Sequence, residues 1–193
     1  MAEVRVIREG WWRWIEKRVS VDVTCTTTLI TSGDRRILVD VPNAGEEEAM
    51  LAALSACGLK AEDIDTVVVT HFHPDHVGCL SLFTKAKFIS AHTVWRGAKY
   101  TRWDDEKLAL TDDVYVLKTP GHSEHDCSVL AETEAGVIAA VGDLWVRSPS
   151  DPRILVVADA EKMKKSRARL IGLATQIIPG HGPMTPSSQA VAE

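Results

Sequence analysis

The stretch VVVTHFHPDHVG, residues 67–78, decides how this sequence folds and what it can bind. Its first four residues are apolar or β-branched and predict a buried strand. Four potential metal ligands follow within six positions, namely His71, His73, Asp75 and His76. Side chains two apart on an extended chain point the same way, so His71 and His73 can bind one metal ion together. Asp75 and His76 lie beyond a proline-stiffened turn and suit a second ion.

The composition of the 193-residue chain is that of an ordinary globular protein, with 45% apolar and 25% charged residues. A net charge of -5 argues against nucleic acid as the default partner, because phosphate binding favours a basic surface. No apolar run approaches the roughly 20 residues of a membrane span, and the first residues lack an apolar leader core. We therefore expect one domain over residues 1–193, cytoplasmic and without a membrane partner. The four widely spaced cysteines are interpreted as buried and unpaired.

The hydrophobic pattern predicts strands that alternate with a few helices. A strand at 37–41, a helix at 46–57 and the strand of the opening motif make a βαβ-type unit. A short helix is expected at 77–83, a loop at 93–113, and a basic amphipathic helix at about 159–173.

Three later segments repeat one local design, in which a β run is followed by glycine and a potential ligand. They contribute His122, Asp143 and His181. Glycine before the ligand lets the backbone approach closely. With the opening motif they make seven candidate ligands, five imidazoles and two carboxylates, with no thiolate. Because structural zinc sites are usually closed and rich in cysteine, this set indicates a catalytic site.

The simplest partition of these ligands builds two adjacent metal sites. His71, His73 and His122 are assigned to the first ion, Asp75, His76 and His181 to the second, and Asp143 bridges them. Two ions ~3.5–4 Å apart share a hydroxide, and coordination lowers the pKa of water from roughly 15.7 toward 7. Asp75 can orient that hydroxide or take up its proton. Zn²⁺ is the preferred ion, with Fe or Mn as alternatives.

Taken together, HxHxDH, PGH, GD and PGHG resemble the motifs of the metallo-β-lactamase-fold hydrolases, in the same order and over nearly the whole chain. The resemblance implies an α/β fold of the αββα type, a four-layer sandwich with a dinuclear site at the sheet edges between its two layers.

Within that superfamily, the segments PGHSEHDCSV, VGDLW, KKSRARL and IIPGHGP are similar to the single-domain group called metallo-β-lactamase domain-containing protein 1. That similarity implies a hydrolase role and, from the animal member, a ribonuclease role.

Two departures from the superfamily pattern are visible. Gly78-Cys79 replaces a Gly-Gly pair after the opening motif, and Asp40-Val41-Pro42 replaces the usual Asp-Thr-Gly. Asp40 is therefore interpreted as a support for the ligands, in altered surroundings.

Aromatic and basic residues outside the motifs are candidate substrate contacts. Trp11, Trp12 and Trp14 fall in a predicted hairpin, where the indoles either cover a core edge or close over substrate as a flap. Trp145 is a second candidate, with a structural role as its alternative. Arg167 either faces solvent on its helix or clamps a carboxylate or phosphate.

Two histidines outside the motifs are expected to be structural. His125 is interpreted as solvated, and His92 as buried and hydrogen-bonded.

The sequence thus favours a dinuclear metal-dependent hydrolase that uses a metal-bridging hydroxide on a small ester, thioester, lactone or lactam. One alternative is a phosphodiesterase or ribonuclease, supported by the basic residues Arg96, Lys99 and Arg102 and by the late basic helix. Others are an iron-dependent oxidoreductase like the persulfide dioxygenases and a non-catalytic metal-binding protein. A small molecule is the expected partner, while RNA binding and a homodimer stay open.

Overall fold

The structure is a computed structural model that describes residues 1–17, 19–151 and 156–193. The strands, in chain order, are β1 (Glu3–Arg8), β2 (Trp11–Glu16), β3 (Ser20–Thr24), β4 (Thr27–Ser32), β5 (Arg35–Val39), β6 (Thr66–Val68), β7 (Lys87–Ile89), β8 (Thr93–Arg96), β9 (Lys99–Arg102), β10 (Lys107–Ala109), β11 (Val114–Lys118), β12 (Cys127–Thr133), β13 (Gly136–Ala140), β14 (Gln176–Ile178) and β15 (Thr185–Pro186). The α-helices are α1 (Glu47–Ser55), α2 (Pro74–Val77) and α3 (Ala160–Leu173).

These strands form two large sheets and a separate hairpin. The first sheet has the order β1-β4-β5-β6-β7-β8-β9, and the second has the order β10-β11-β12-β13-β14-β15. β2 and β3 pair only with each other among the described residues. In both sheets, antiparallel pairs are combined with a few parallel ones, including β5 with β6 and β13 with β14.

Strand alternation explains how the sheets stack. In β5, Ile37 and Val39 point into a core shared by both sheets, whereas Leu38 points to the opposite face. In β12, Val129 enters the shared core and Leu130 points away from it.

The outward faces of both sheets are covered by helices. Met50 and Leu54 of α1 cover the first sheet, and Met163 and Leu170 of α3 cover the second. The order of layers is therefore helix, sheet, sheet, helix, which confirms the αββα sandwich.

Local sequence signals account for the two longer helices. The first turn of α1 carries Glu47 and Glu48, whose charges are favourable at the positive end of the helix dipole. The side chain of Asp159 caps α3 by accepting a hydrogen bond from the backbone N–H of Lys162 at 2.9 Å. The predicted basic helix is thus confirmed, and the helix predicted at 46–57 is confirmed with shorter ends.

One predicted element is confirmed in part, and one is wrong. Within the range 77–83 predicted as a short helix, the structure has a 3₁₀ helix at Leu80–Leu82. The α-helix α2 lies earlier, because Pro74 occupies its first turn, where the fixed φ and missing N–H of proline are tolerated. The loop expected at 93–113 contains β8, β9 and β10. All four residues of β9 are exposed, so this strand lacks the apolar alternation by which strands are recognised.

As predicted, the four cysteines are unpaired, and three of them are buried. No helix in the described residues has the length and apolar character needed to cross a membrane.

Candidate active site

The seven predicted ligands meet at one edge of the sandwich. His71 and His73 follow β6, and Asp75 and His76 lie on α2 directly after them. The other three follow strands of the second sheet, with His122 after β11, Asp143 after β13 and His181 after β14. Strand ends are rigid, so the folded sheets fix where these side chains converge.

The first ligand group consists of His71, His73, His122 and Asp143. Nε2 of His71 lies 3.0 Å from Nδ1 of His73, and Nε2 of His122 lies 3.0 Å from the same atom. One ligand atom from each of the four residues fits within a span of 4.8 Å. His73 is half-buried, whereas the other three are buried.

The second ligand group consists of Asp75, His76 and His181. Nε2 of His76 lies 3.3 Å from Nε2 of His181. Oδ2 of Asp75 lies 3.6 Å from Nε2 of His76 and 3.5 Å from Nε2 of His181. Both histidines are buried, so this group is more enclosed than the first.

Asp143 lies between the two groups. Its Oδ1 is 3.0 Å from Nε2 of His181 and 3.4 Å from Nε2 of His76, while its Oδ2 is 3.6 Å from Nε2 of His122. Each oxygen therefore faces a different group, which is the arrangement that a bridging carboxylate requires.

Hydrogen bonds on the outer side of the rings fix the tautomers of the histidines. Nδ1 of His122 lies 2.8 Å from the carbonyl oxygen of Val156, and Nδ1 of His181 lies 2.8 Å from that of Thr24. Because a carbonyl oxygen only accepts, Nδ1 carries the proton in both rings. In the neutral ring, Nε2 then presents a lone pair to the centre of the site, as in metal-binding histidines.

This lone-pair arrangement provides a test of whether cations fit. Lone pairs on Nε2 of His181 and His122 face the carboxylate of Asp143, and such contacts are repulsive without a positive charge between them. Oδ1 of Asp143 is, moreover, a buried oxygen without a well-aligned hydrogen bond in the described part of the chain. A buried unsatisfied carboxylate oxygen is costly, and a cation would satisfy it. The donor set therefore fits divalent metal ions.

Asp40 supports both groups at once. It accepts hydrogen bonds from Nδ1 of His76 at 2.7 Å and from the backbone N–H and hydroxyl of Thr70 at 2.8 and 2.7 Å. The Thr70 hydroxyl oxygen in turn lies 3.1 Å from Nδ1 of His71. The backbone of Asp40 has a φ of +55°, in the left-handed region that aspartate tolerates better than most residues.

Electrostatics favour a neutral His71 and an ionised Asp143, as metal ligands require, and surround His76 with anionic groups. Burial, followed by repulsion from His76, holds the pKa of His71 well below its usual value. For Asp143, burial raises the pKa, but His181 and His76 outweigh it and hold the pKa well below its usual value. For His76, burial lowers the pKa, and the carboxylates of Asp40 and Asp143 raise it by more. A metal ion would replace the proton that this anionic surrounding attracts.

Close packing requires glycine at position 180, directly before the ligand His181. A Cβ on Gly180 would lie 2.0 Å from Oδ1 of Asp143. Gly142, just before Asp143, has a φ of +54°, and a Cβ there would lie 2.4 Å from the Thr70 hydroxyl oxygen. The predicted role of glycine in close backbone approach is therefore confirmed at both positions.

Two of the predicted substrate contacts are wrong, because the structure buries both side chains. Trp145 is 0% exposed and donates a hydrogen bond from Nε1 to the carbonyl of Val191. Arg167 is buried as well, and its Nε donates to the carbonyl of Leu144 at 2.6 Å. Its guanidinium lies 5.4 Å from the Trp145 ring centre, and burial lowers its pKa to about 10. Both residues support the layer beneath α3 and are not open to a substrate.

The three hairpin tryptophans are divided between two faces. Trp12 and Trp14 share one face, with ring centres 4.8 Å apart, and the Trp12 ring is 5.8 Å from the guanidinium of Arg147. Trp11 lies on the other face, where the guanidinium of Arg8 is 5.4 Å from its ring. Because strand side chains alternate, the three indoles cannot all face one substrate.

The base of this hairpin is attached to the site. The N–H of Cys25 donates to the carbonyl of Asp75 at 3.3 Å, and the N–H of Thr26 donates to the carbonyl of Gly180 at 2.6 Å. Arg147 also adjoins the last ligand loop, since a Cβ on Gly182 would lie 2.0 Å from its carbonyl oxygen. The face that carries Trp12 and Trp14 is therefore the one next to the ligand loops.

The sequence missed a pocket formed partly by histidines outside the motifs. His92, expected to be buried, is half-buried, and its ring centre lies 5.0 Å from that of the exposed His125. Both line this pocket together with Phe72 and Arg102. The available signal was the closeness of His125 to His122 and of Phe72 to His71 along the chain.

Comparison with known proteins agrees with this architecture. A model of the metallo-beta-lactamase superfamily matches residues 21–184. The metallo-beta-lactamase domain-containing protein 1 of Xenopus laevis is 34% identical over 189 residues, which are 93% of this chain and 79% of the relative.

Solved structures show the same fold. A crystal structure of a Thermotoga maritima protein, described as a candidate metallo-beta-lactamase, superimposes with a TM-score of 0.75 at 19% identity, over 96% of this chain and 99% of that one. AidC, a dizinc quorum-quenching lactonase in complex with a product, gives a TM-score of 0.66 at 16% identity, over 84% of this chain and 74% of that one. The family model, the relative and the fold together show that the chain belongs to the metallo-beta-lactamase superfamily of metal-dependent hydrolases.

Proposed function

We propose that the chain is a dinuclear metal-dependent hydrolase of small carboxylic acid derivatives, namely esters, thioesters, lactones or lactams. The observation that carries the proposal is the position of Asp143, which directs one carboxylate oxygen to each ligand group. The proposed ligands are His71, His73 and His122 for the first ion and Asp75, His76 and His181 for the second, with Asp143 shared. Zn²⁺ is the preferred ion, and Fe or Mn are alternatives.

When bound, the two ions supply an activated water at neutral pH and an electrophile for the substrate carbonyl oxygen. The chain itself supplies the geometry, because Asp40 and the carbonyls of Thr24 and Val156 hold the rings with their Nε2 atoms inward. Second-layer contacts of this kind orient ligands and raise their basicity.

Asp75 is the proposed proton acceptor. Its Oδ2 faces His76 and His181, which leaves the other carboxylate oxygen to orient the attacking water or to take up its proton. Asp75 is less buried than His76, so a proton accepted there can pass to solvent.

The hairpin face with Trp12 and Trp14 is the proposed wall over the substrate. Trp14 is 37% exposed, and indoles of this kind offer a large apolar contact with a polar tip. Trp11 is left out of this role because it lies on the opposite face.

Similarity to lactonases supports a carbonyl substrate. The dizinc lactonase AidC shares the fold, and an N-acyl homoserine lactonase of Bacillus cereus is 28% identical over 108 residues. That match spans 49% of this chain, so it supports the chemistry and leaves the particular substrate to be identified by experiment.

A phosphodiesterase or ribonuclease using the same ligands is the second candidate. One observation favours it, since Arg96, Lys99 and Arg102 are exposed on neighbouring strands. The net charge of -5 favours a small molecule instead.

The test combines metal analysis with a substrate panel. Elemental analysis of metal-replete protein is expected to give two ions per chain, and the panel should contain a thioester, a lactone, a lactam and bis-p-nitrophenyl phosphate. Turnover of a carbonyl substrate supports the proposal, whereas turnover of the phosphodiester alone supports the second candidate. One ion or none under metal-replete conditions would contradict the dinuclear site.

A further inference from the structure

A pocket of about 400 Å³ is lined by chain neighbours of two ligands of the first group and has no role in the function proposed above. Its walls are formed by Phe72, Ser90, His92, Thr93, Arg102 and His125. Phe72 lies between two ligands in the chain, His71 and His73, and His125 follows His122 by one short turn. Because both of these ligand-bearing segments contribute a side chain to the wall, the pocket adjoins the segments that carry the first ligand group.

The polar side of the pocket carries hydrogen-bond donors. The rings of His92 and His125 meet edge to face, with centres 5.0 Å apart and planes 85° apart. Arg102 pairs with Asp104 through Nε at 2.6 Å, and its side chain is 76% exposed. Because the contact with Asp104 uses Nε, the Nη atoms of the Arg102 guanidinium can donate to a further acceptor.

Two permanently basic side chains, Lys118 and Arg102, act on the ring of His92. The pKa of His92 is lowered first by burial and then by the neighbouring Lys118, His125 and Arg102, while Asp104 acts in the opposite direction. A local excess of basic side chains attracts an anion even though the whole chain is acidic.

The apolar side of the pocket is formed by Phe72. Its side chain is 58% exposed, and its ring centre lies 6.3 Å from that of Trp95. A large exposed aromatic residue beside a polar cluster is typical of a ligand pocket, where it packs against the carbon skeleton of the bound molecule.

We propose that this pocket binds an anionic substituent of the substrate, a carboxylate or a phosphate, while the scissile carbonyl lies at the two ligand groups. Arg102 and the two imidazoles donate hydrogen bonds to the anion, and Phe72 packs against the chain that joins it to the carbonyl. The inference rests on the proposed hydrolase function and narrows its substrates to acyl compounds that carry a negative charge.

The first test compares two activated esters that differ in this charge, p-nitrophenyl acetate and mono-p-nitrophenyl succinate, with the metal-loaded full chain. The wild type is expected to prefer the succinate ester. In Arg102→Gln, kcat/KM for the succinate ester divided by kcat/KM for the acetate ester should fall about tenfold. One charge-assisted hydrogen bond contributes about that much.

Arg96→Gln is the matched control. Arg96 is also an exposed arginine on the same strand pair, but its position alternates with Trp95 and places it on the opposite face. Its substitution should leave the ratio unchanged. An unchanged ratio in Arg102→Gln, or an equal fall in both variants, would overturn the pocket.

A binding measurement separates this proposal from the hydrolase function. Benzoate, phenyl phosphate and neutral benzamide are titrated into the full chain while the imidazole protons of His92 and His125 are followed by NMR. Either anion is expected to shift these protons and to bind about tenfold more weakly to Arg102→Gln, whereas benzamide should not bind. The anion that binds more tightly identifies the substituent as carboxylate or phosphate.

The ester kinetics and the anion titration distinguish failure of the pocket from failure of the hydrolase function. If neither ester is hydrolysed but the anions bind in an Arg102-dependent manner, the hydrolase function fails and the anion pocket stands. If the esters are hydrolysed and no anion reaches the two imidazoles, the pocket fails and the hydrolase function stands.

Discussion

The two ligand groups differ in how their histidines are supported. In the second group, His76 donates to the carboxylate of Asp40, His181 donates to the carbonyl of Thr24, and both imidazoles are buried. In the first group, His71 and His122 have neutral partners, the Thr70 hydroxyl and the Val156 carbonyl, and His73 is half-buried. A charged acceptor makes a ring more basic than a neutral one does. We therefore expect the second group to hold its ion more tightly and the first group to face the substrate.

Removing a ligand from the second group should have the largest effect. His76→Ala is expected to lower the metal content from two ions to one and to reduce ester or lactone hydrolysis by more than about 100-fold. Substituting a residue that only hydrogen-bonds to a ligand already reduces metal affinity or activity by about 10- to 100-fold. Elemental analysis and kcat/KM measure both effects. Hydrolysis at the wild-type rate would show that the second group is not needed.

Asp40→Asn tests the charged support directly. Asparagine tolerates the left-handed backbone of this position but carries no charge. The affinity of the second ion is expected to fall about 10- to 100-fold, measured by competition with a chelator.

Thr70→Val is the companion variant, because it removes the partner of His71 while Asp40 still holds His76. It should weaken the first ion selectively. Equal losses of both ions in the two variants would contradict the distinction between the groups.

Gly180→Ala tests the close approach at the shared ligand. The new Cβ would have to displace Asp143, and overpacking of this kind costs about 1–3 kcal/mol. We expect a lower unfolding free energy in urea and a loss of bound metal. Gly172→Ala is the control, since among the described residues nothing outside the adjoining helix backbone lies within 4 Å of its Cβ position. This substitution should be neutral or stabilising by roughly 0.5–1 kcal/mol in the helix. Similar losses in both variants would argue against a specific contact.

The smallest effect is expected at the hairpin, where two faces are compared. Trp12→Ala should raise KM by about 2- to 10-fold, the equivalent of one aromatic contact, with little change in kcat. Trp11→Ala, on the other face, should leave KM unchanged. Steady-state kinetics on an ester substrate measures both values. An unchanged KM in Trp12→Ala would show that the hairpin does not contact the substrate.

The sequence predicted those parts of the site in which a strand end and a ligand are neighbours in the chain. His122, Asp143 and His181 each follow a recognisable β run, so their meeting at one edge was predictable from the pattern. The helical setting of Asp75 and His76 was missed, because a proline after His73 was interpreted as a turn when it begins α2.

The predictions failed at residues whose surroundings depend on tertiary contacts. Trp145 and Arg167 were candidate substrate contacts, with a structural role as the alternative for Trp145 and a solvated helix face as the alternative for Arg167. The packing of α3 on the second sheet buries both. Conversely, β8 and β9 bring Arg102 and His92 toward His125, and the exposed β9 carries no apolar pattern from which that pairing could be foreseen.

Each ligand group takes side chains from both sheets, and this has a consequence for stability. The first combines His71 and His73 with His122, and the second combines Asp75 and His76 with His181. A bound ion would therefore act as a cross-link between the two halves of the sandwich, contributing about 2.7 kcal/mol when its concentration is 100 times its Kd. Because such coupling is reciprocal, any substitution that loosens the packing between the sheets also weakens ion binding. Damage at Val129 or Ile178, which pack in the core between the sheets and are not ligands, would then first be observed as loss of metal, before unfolding.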